Sequence, residues 1–169
     1  MLGSDAIVHE LYGTATVREA VAARIGPGVV AADGSIDRRA LARRVFADED
    51  ERRWLEALIH PLVAARAARW RERERARTPP PRALVQEVAL LFEADLERRY
   101  DRTLLVTASP AHRAARLAAR GGMAAIEERE RLLLPEAEKR RRADDVLAND
   151  GDLAALDEAV ARYLDAFGA

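Results

Sequence analysis

Short apolar segments alternate with amphipathic segments along the chain. Leu2–Asp5 has the pattern of a strand end that leads directly into a helix over Ala6–Tyr12. Three later segments, Arg82–Leu90, Arg102–Ser109 and Asp144–Asp150, are rich in apolar residues and bounded by turn signals, which is typical of short buried strands. Strands that alternate with helices predict an α/β fold in which helices cover a parallel sheet.

The longest interval between predicted strands is helical and extends from about Ala6 to Arg77. Asp37 and Asp48 each precede a run with helical periodicity and suit the N-cap position, where a carboxylate accepts backbone N–H groups. Pro61 is predicted to interrupt the helix that follows Asp48, because proline lacks an N–H and clashes with the preceding turn. The last helix is predicted from one apolar stripe: Leu153, Leu156, Val160, Tyr163, Leu164 and Phe167.

Composition narrows the class of protein. With 169 residues, the chain is long enough for one domain with a core of its own. It contains no cysteine, which excludes disulfides, thiol catalysis and thiolate metal sites. A net charge of −1 gives no support for a nucleic-acid or membrane partner, and no apolar run approaches the roughly 20 residues that span a bilayer. We therefore expect a cytoplasmic protein.

Three polar residues lie where ligands bind in open α/β sheets, beyond the ends of strands or at a break in a helix. Asp5 follows the first predicted strand and is either a helix N-cap or a general base. Glu93 follows an apolar run and either caps the next helix or faces a cleft. His60 is either a substrate contact at a helix break or a surface residue. No set of His, Asp and Glu has metal-ligand spacing, so we predict no metal site.

Arginines are concentrated in the second half of the chain. Arg116 and Arg120 are four residues apart and share a predicted helix face, and Arg129 and the segment Lys139–Asp145 follow. The planar guanidinium group makes paired, charge-assisted bonds to phosphate, which favours a nucleotide site. The alternative is a solvated helix face on which arginines alternate with glutamates. Lys139 is the single lysine of the chain.

Four segments together resemble the dephospho-CoA kinase family. They are SDAIVHELY, then DGSIDRRALARRVFADEDERRWLEALIHPLV with His60-Pro61, then VALLFE with Ala89 where proline is usual, and EKRRRADDVLANDG. Each segment alone is a weak signal, but their shared order and spacing is specific. The resemblance implies a P-loop kinase fold in a single domain over 1–169, with a helical acceptor-binding part over 6–77 and a lid over 121–142.

The resemblance also implies an activity: MgATP phosphorylates the 3′-hydroxyl of the ribose of dephospho-CoA. By matching position, Asp5 would be the base that accepts the hydroxyl proton, and Arg129 and Arg142 would be lid arginines. The residues that would line the acceptor pocket are Leu11, Tyr12, Arg39, His60 and Glu93. The residues that would lie near adenine and the phosphates are Arg116, Arg120, Asn149 and Gly151.

The glycine-rich phosphate-binding loop of that family, Gly-x-x-x-x-Gly-Lys-Ser/Thr, does not occur in the 169 residues. We expect the first strand, this loop and the first helix to precede Leu2 in the complete protein, and the 169 residues alone to be inactive. Two alternatives are a non-catalytic module that binds dephospho-CoA or CoA, and a helical interaction protein that binds nucleic acid through the arginine-rich segments 69–82 and 139–145.

Overall fold

A computed structural model describes residues 1–119 and 133–167. The chain forms two compact units, Met1–Ala89 and Leu90–Ala169, and each contains a small parallel sheet together with helices. The predicted α/β class is therefore confirmed. In the part of the chain that the structure describes, no helix has the length and apolar character needed to cross a bilayer.

The first unit consists mainly of helices, with one short sheet. In chain order its elements are β1 (Leu2–Gly3), α1 (Ser4–Tyr12), α2 (Ala15–Ile25), a 3₁₀ turn (Pro27–Val29), α3 (Arg38–Ala47), α4 (Glu49–Arg75) and β2 (Gln86–Glu87). β1 and β2 pair in parallel, with Leu2 opposite Gln86. The predicted strand over 82–90 is thus much shorter in the structure, because its ladder partner offers only two residues.

The core of the first unit lies between α4 and the three helices before it. Val17 and Val21, one helical turn apart on α2, are 1% and 0% exposed. The other buried members come from the other three helices and the segment between α2 and α3: Ile7, Leu11, Val29, Ile36, Leu41, Leu55, Ile59 and Ala67. Burial of a side chain of this size is worth about 1.5–3 kcal/mol, so this cluster is the main stabilising feature of the unit.

The two predicted N-caps are confirmed. The Asp37 carboxylate accepts the backbone N–H groups of Arg39 and Ala40 at 3.0 Å. The Asp48 carboxylate accepts those of the second and third residues of α4 at 2.9 and 3.0 Å. These bonds satisfy N–H groups that have no partner within the helix, which fixes where α3 and α4 begin.

Pro61 does not interrupt α4, so that prediction is wrong. The helix is 27 residues long and continues on both sides of Pro61, which is itself exposed. Leu55, Ile59 and Ala67 lie before and after the proline on the same buried stripe. A break would remove one half of that stripe from the core, and this cost outweighs the single backbone hydrogen bond that proline removes.

The second unit contains the other sheet. Its elements among the described residues are a 3₁₀ turn (Glu97–Arg99), β3 (Leu104–Thr107), α5 (Pro110–Ala119), α6 (Glu136–Arg142), β4 (Asp145–Ala148) and α7 (Leu153–Phe167). β3 and β4 pair in parallel along their full length. Both strands lie inside the predicted segments, and the predicted final helix is confirmed over Leu153–Phe167.

The continuity of α4 predicts that replacing Pro61 will stabilise the protein. Proline costs about 3 kcal/mol relative to alanine inside a helix. Alanine also increases the conformational entropy of the unfolded chain, which opposes folding by up to about 1 kcal/mol. We therefore expect Pro61→Ala to raise the free energy of unfolding by about 2 kcal/mol, measured by urea denaturation. Ala64→Gly, at an exposed position of the same helix, should lower it by about 1 kcal/mol. A loss of stability in Pro61→Ala would mean that the core requires a bend at this position.

Candidate functional site

Asp5 lies at the start of α1, two residues after β1 ends. The predicted strand therefore ends earlier and the helix begins earlier than the sequence indicates. The N-cap residue is Gly3, which provides no side-chain bond, so the N-cap alternative for Asp5 is wrong. Among the described residues the Asp5 side chain has no hydrogen-bond partner, and it is exposed. A carboxylate in this position is available to accept a proton from a ligand.

His9 and Tyr12 lie on the same face of α1 as Asp5, because residues three and four apart are neighbours on a helix. The Arg38 Nη1 atom at the start of α3 is 3.2 Å from His9 Nδ1. Burial raises the pKa of the Tyr12 phenol, and the nearby Arg38 charge lowers it in part. The structure therefore brings together the predicted residue Tyr12 and two residues that were not predicted.

The remaining predicted acceptor residues of the first unit differ in exposure. Leu11 is 4% exposed and belongs to the core cluster. Arg39 and His60 are exposed on α3 and α4, and neither has a side-chain partner among the described residues. Arg38, rather than its neighbour Arg39, is the α3 arginine that contacts α1, because successive helical residues point in directions about 100° apart.

In the second unit, three of the four predicted nucleotide-binding residues lie together. The Arg116 guanidinium donates to the backbone oxygens of Asn149 and Gly151 at 2.8 and 3.1 Å, and to Asn149 Oδ1 at 3.3 Å. Arg116 therefore connects α5 to the loop after β4. Its donors hold the loop in shape.

A second contact fixes the same loop. The Asp150 carboxylate accepts the backbone N–H of Ser109 at 2.6 Å and lies 3.4 Å from His112 Nδ1. The Ser109 bond is the main cause that lowers the pKa of Asp150. The Ser109 hydroxyl is 2.8 Å from the same His112 nitrogen. The loop after β4 is thus attached to α5 at two places: at Ser109, just before the helix, and at Arg116 within it.

Glu93 is the centre of a largely buried ion pair. Its Oε1 atom lies 2.6 Å from Lys139 Nζ and accepts the backbone N–H of Leu134 at 3.1 Å. The two side chains are 14% and 15% exposed. Burial acts to raise the pKa of Glu93, but the bonds from Lys139 and Leu134 outweigh it and hold the pKa below its usual value. The other carboxylate oxygen, Oε2, is buried and has no partner among the described residues.

Arg142 bonds to the turn that carries Glu93. Its guanidinium bonds to the carboxylates of Asp95 and Glu97, with Nη2 2.6 Å from Asp95 Oδ1, and lies over the ring of Phe92 at 5.6 Å. These carboxylates raise the pKa of Arg142 further, with Glu97 the main cause. Lys139 and Arg142, three residues apart on α6, therefore hold the turn over 92–97 at two points.

Arg120 and Arg129 lie outside the described residues. Within 1–119 and 133–167, no group of three or more histidine, aspartate and glutamate side chains could hold a metal ion.

Comparison with known proteins identifies the family. A family profile described as dephospho-CoA kinase matches residues 2–155. A protein named dephospho-CoA kinase from Symbiobacterium thermophilum is 42% identical over 156 residues, which are 90% of this chain and 64% of that protein. The corresponding protein from Chromobacterium violaceum is 40% identical over 163 residues, 92% of this chain and 76% of that protein.

The chain belongs to the dephospho-CoA kinase family. It spans 64% of the length of the Symbiobacterium relative. The structure titled TT1252 from Thermus thermophilus superposes with a TM-score of 0.80 at 38% identity, over 97% of this chain and 82% of that one. A dephospho-CoA kinase from Campylobacter jejuni shares the fold, with a TM-score of 0.68 at 16% identity over 99% and 84% of the two chains. The P-loop NTPase-like fold implied by the resemblance is confirmed.

Sequence reasoning missed His9 and Arg38, which contact each other near Tyr12, and Lys139, which pairs with Glu93. The spacing of His9 from Asp5 was a usable signal, because it places both on one helix face. The contact of Arg38 with His9 and of Lys139 with Glu93 depends on tertiary packing, and no local pattern indicates it.

The ion pair predicts a pH-dependent loss of stability in Lys139→Met. Without the ammonium group, burial leaves Glu93 with a raised pKa, and its ionised form destabilises the folded state by about 1–3 kcal/mol near neutral pH. The difference from wild type should shrink as the pH falls from the raised pKa of Glu93 in the variant, through the ordinary glutamate pKa of 4.5, towards the lowered pKa of Glu93 in wild type. Urea denaturation at about pH 7 and about pH 3.5 tests this.

Arg141→Met is the matched control, because Arg141 is exposed and pairs with Glu138 on the same helix. It should cost less than about 0.5 kcal/mol. An equal loss in Lys139→Met at both pH values would show that Lys139 stabilises the unit by packing and not through the ionised carboxylate.

Proposed function

We propose that the chain is part of a cytoplasmic enzyme that transfers the γ-phosphoryl group of ATP to the ribose 3′-hydroxyl of dephospho-CoA, the last step of coenzyme A biosynthesis. The observation that supports it most is the family match over 2–155, which includes every described candidate residue. Dephospho-CoA and ATP are the partners, and neither nucleic acid nor a membrane is required.

Asp5 is the proposed general base. Its carboxylate takes the proton of the 3′-hydroxyl while the hydroxyl oxygen forms a bond to the γ-phosphorus, and the bond from phosphorus to ADP breaks. The exposed, unpartnered state of Asp5 among the described residues supports this role, since no internal bond must be given up.

The acceptor side is assigned to the helical part over 6–77. Tyr12, Arg39 and His60 present polar groups at the surface of this part, and Leu11 supports α1 from the core. Glu93 is a further proposed acceptor contact, because Lys139 keeps it ionised and Oε2 has no partner among the described residues.

The nucleotide side is assigned to the loop after β4. Arg116 holds Asn149 and Gly151 in one conformation, so the loop needs little ordering when a nucleotide binds. Further roles, for Arg120 beside the nucleotide and for Arg129 and Arg142 in a lid over 121–142, rest on family resemblance. Phosphoryl transfer depends on such positioning and on charge neutralisation more than on covalent chemistry.

Magnesium has no fitting site among the described residues, which contain no carboxylate cluster for a metal ion. The glycine-rich loop that cradles phosphates is not in the 169 residues either. No step is therefore derived through the metal. We propose that these residues alone bind the acceptor without transferring phosphate.

Asp5→Asn tests the proposed base in the protein as its own cells make it. Loss of a general base should lower turnover by about 10²–10⁴-fold, because the amide cannot accept the hydroxyl proton. Affinity for dephospho-CoA, measured by calorimetry, should change little. Glu19→Gln, at an exposed carboxylate on α2, is the control and should keep full turnover.

Near-normal turnover in Asp5→Asn would disprove the base assignment. A loss of affinity that matches the loss of turnover would instead make Asp5 a binding residue.

Arg142→Ala tests the proposed lid role in the same native protein. If Arg142 acts on the transferred group, turnover should fall by about 10-fold or more while ATP affinity changes less, because the contact is made mainly in the transition state. Glu97→Gln removes the carboxylate that is the main partner of Arg142 and leaves the positive charge of Arg142 in place. An equal loss in Glu97→Gln would show that Arg142 acts only by holding the turn over 92–97.

A further inference from the structure

Arg38 has no acidic partner among the described residues. Several arginines of the first unit pair closely with carboxylates, as Arg44 does with Glu51 at 2.8 Å. Arg38 instead has its Nη1 atom against the His9 imidazole. A guanidinium group carries a permanent charge, so this part of the surface carries a positive charge that is not paired with a carboxylate among the described residues.

The nearest acidic residues in sequence are engaged elsewhere. Asp37 precedes Arg38, but its carboxylate caps α3. Glu10 follows His9, but its carboxylate lies 3.3 Å from Arg66 on α4. The charge of Arg38 is therefore left available by the way in which the flanking carboxylates are used.

The contact with Arg38 also fixes the hydrogen-bonding state of His9. A guanidinium group only donates, so His9 Nδ1 must accept, and the proton of the neutral ring lies on Nε2. Tyr12 lies one turn further along α1, and its burial keeps the hydroxyl protonated. His9 Nε2, the remaining Arg38 nitrogens and the Tyr12 hydroxyl thus provide hydrogen-bond donors on one face.

A group of donors around an uncompensated positive charge suits a phosphate anion. We propose that His9, Arg38 and Tyr12 bind the diphosphate group of the acceptor nucleotide. This inference rests on the proposed function for its choice of ligand. Inorganic pyrophosphate and other phosphate compounds share this chemistry, and the binding measurements distinguish them from dephospho-CoA.

The position of this donor cluster relative to Asp5 fits that ligand. His9 lies four residues after Asp5 on the same helix face, which is about 6 Å along the axis at 1.5 Å per residue. In dephospho-CoA the diphosphate is attached to the 5′ carbon of the same ribose whose 3′-hydroxyl reacts, so only a few bonds separate the two groups. A diphosphate held by His9 and Arg38 would place that hydroxyl near the Asp5 carboxylate.

Arg38→Met tests the proposal by calorimetry on the 169-residue chain. We expect affinities for dephospho-CoA and for inorganic pyrophosphate to fall by about 10–100-fold, as for loss of charge-assisted hydrogen bonds. Arg43→Met is the matched control, since Arg43 is exposed on α3 and pairs with no carboxylate among the described residues. It should change both affinities by less than about threefold, which also excludes a general effect of charge.

The imidazole of His9 provides a readout that does not depend on the nucleotide. In ¹⁵N NMR spectra the free chain should show the Nε2–H tautomer, and inorganic pyrophosphate should shift the His9 nitrogens in wild type but not in Arg38→Met. His9→Phe, which removes the Nε2–H donor and keeps the charge of Arg38, should also weaken pyrophosphate binding.

The outcomes separate this proposal from the proposed function. Pyrophosphate binding that depends on Arg38, without binding of dephospho-CoA, would support the anion site and overturn the acceptor as its ligand. Binding of dephospho-CoA that is unchanged in Arg38→Met would overturn the anion site and leave the proposed function standing. Equal losses in Arg38→Met and Arg43→Met, or no binding of either ligand, would overturn the anion site.

Discussion

The unbroken apolar stripe of α4 is the constraint on which the first unit depends. α1, α2 and α3 all pack against this one helix, so its unbroken course through Pro61 sets where each of them lies. The position of α1 relative to α3 decides in turn which side chains meet above the core. The contact of His9 with Arg38 is a consequence of that packing, and so is the exposed position of Asp5 at the start of α1.

Contacts between elements of the second unit are mainly charge pairs, whereas those of the first unit are mainly buried apolar side chains. Few of its described side chains are fully buried, whereas every cationic residue of α6 has a carboxylate partner. Such pairing leaves little of the basic segment over 139–142 available for a nucleic-acid backbone, which argues against the interaction-protein alternative. It favours a unit whose arginines position loops and turns.

Local features could be predicted from sequence, and features that depend on packing could not. The caps at Asp37 and Asp48 were correct because a cap needs only a carboxylate and the next three residues. The break at Pro61 was wrong because burial on both sides of the proline outweighs its local cost. Likewise, the family pattern indicated Arg39 and Glu93, but only the fold shows that Arg38 turns to α1 and that Lys139 holds Glu93.

Lys139 gives the chain an unusual chemical property. Because it is the single lysine, its side-chain amine and the N-terminal amine are the two primary amines that an acylating reagent can attack. The Lys139 amine is engaged with Glu93 and is 15% exposed, so it can react only while that contact is open. The rate at which this one position is acylated, followed by peptide mass, would therefore report how often α6 separates from the turn over 92–97, without any label introduced by mutation.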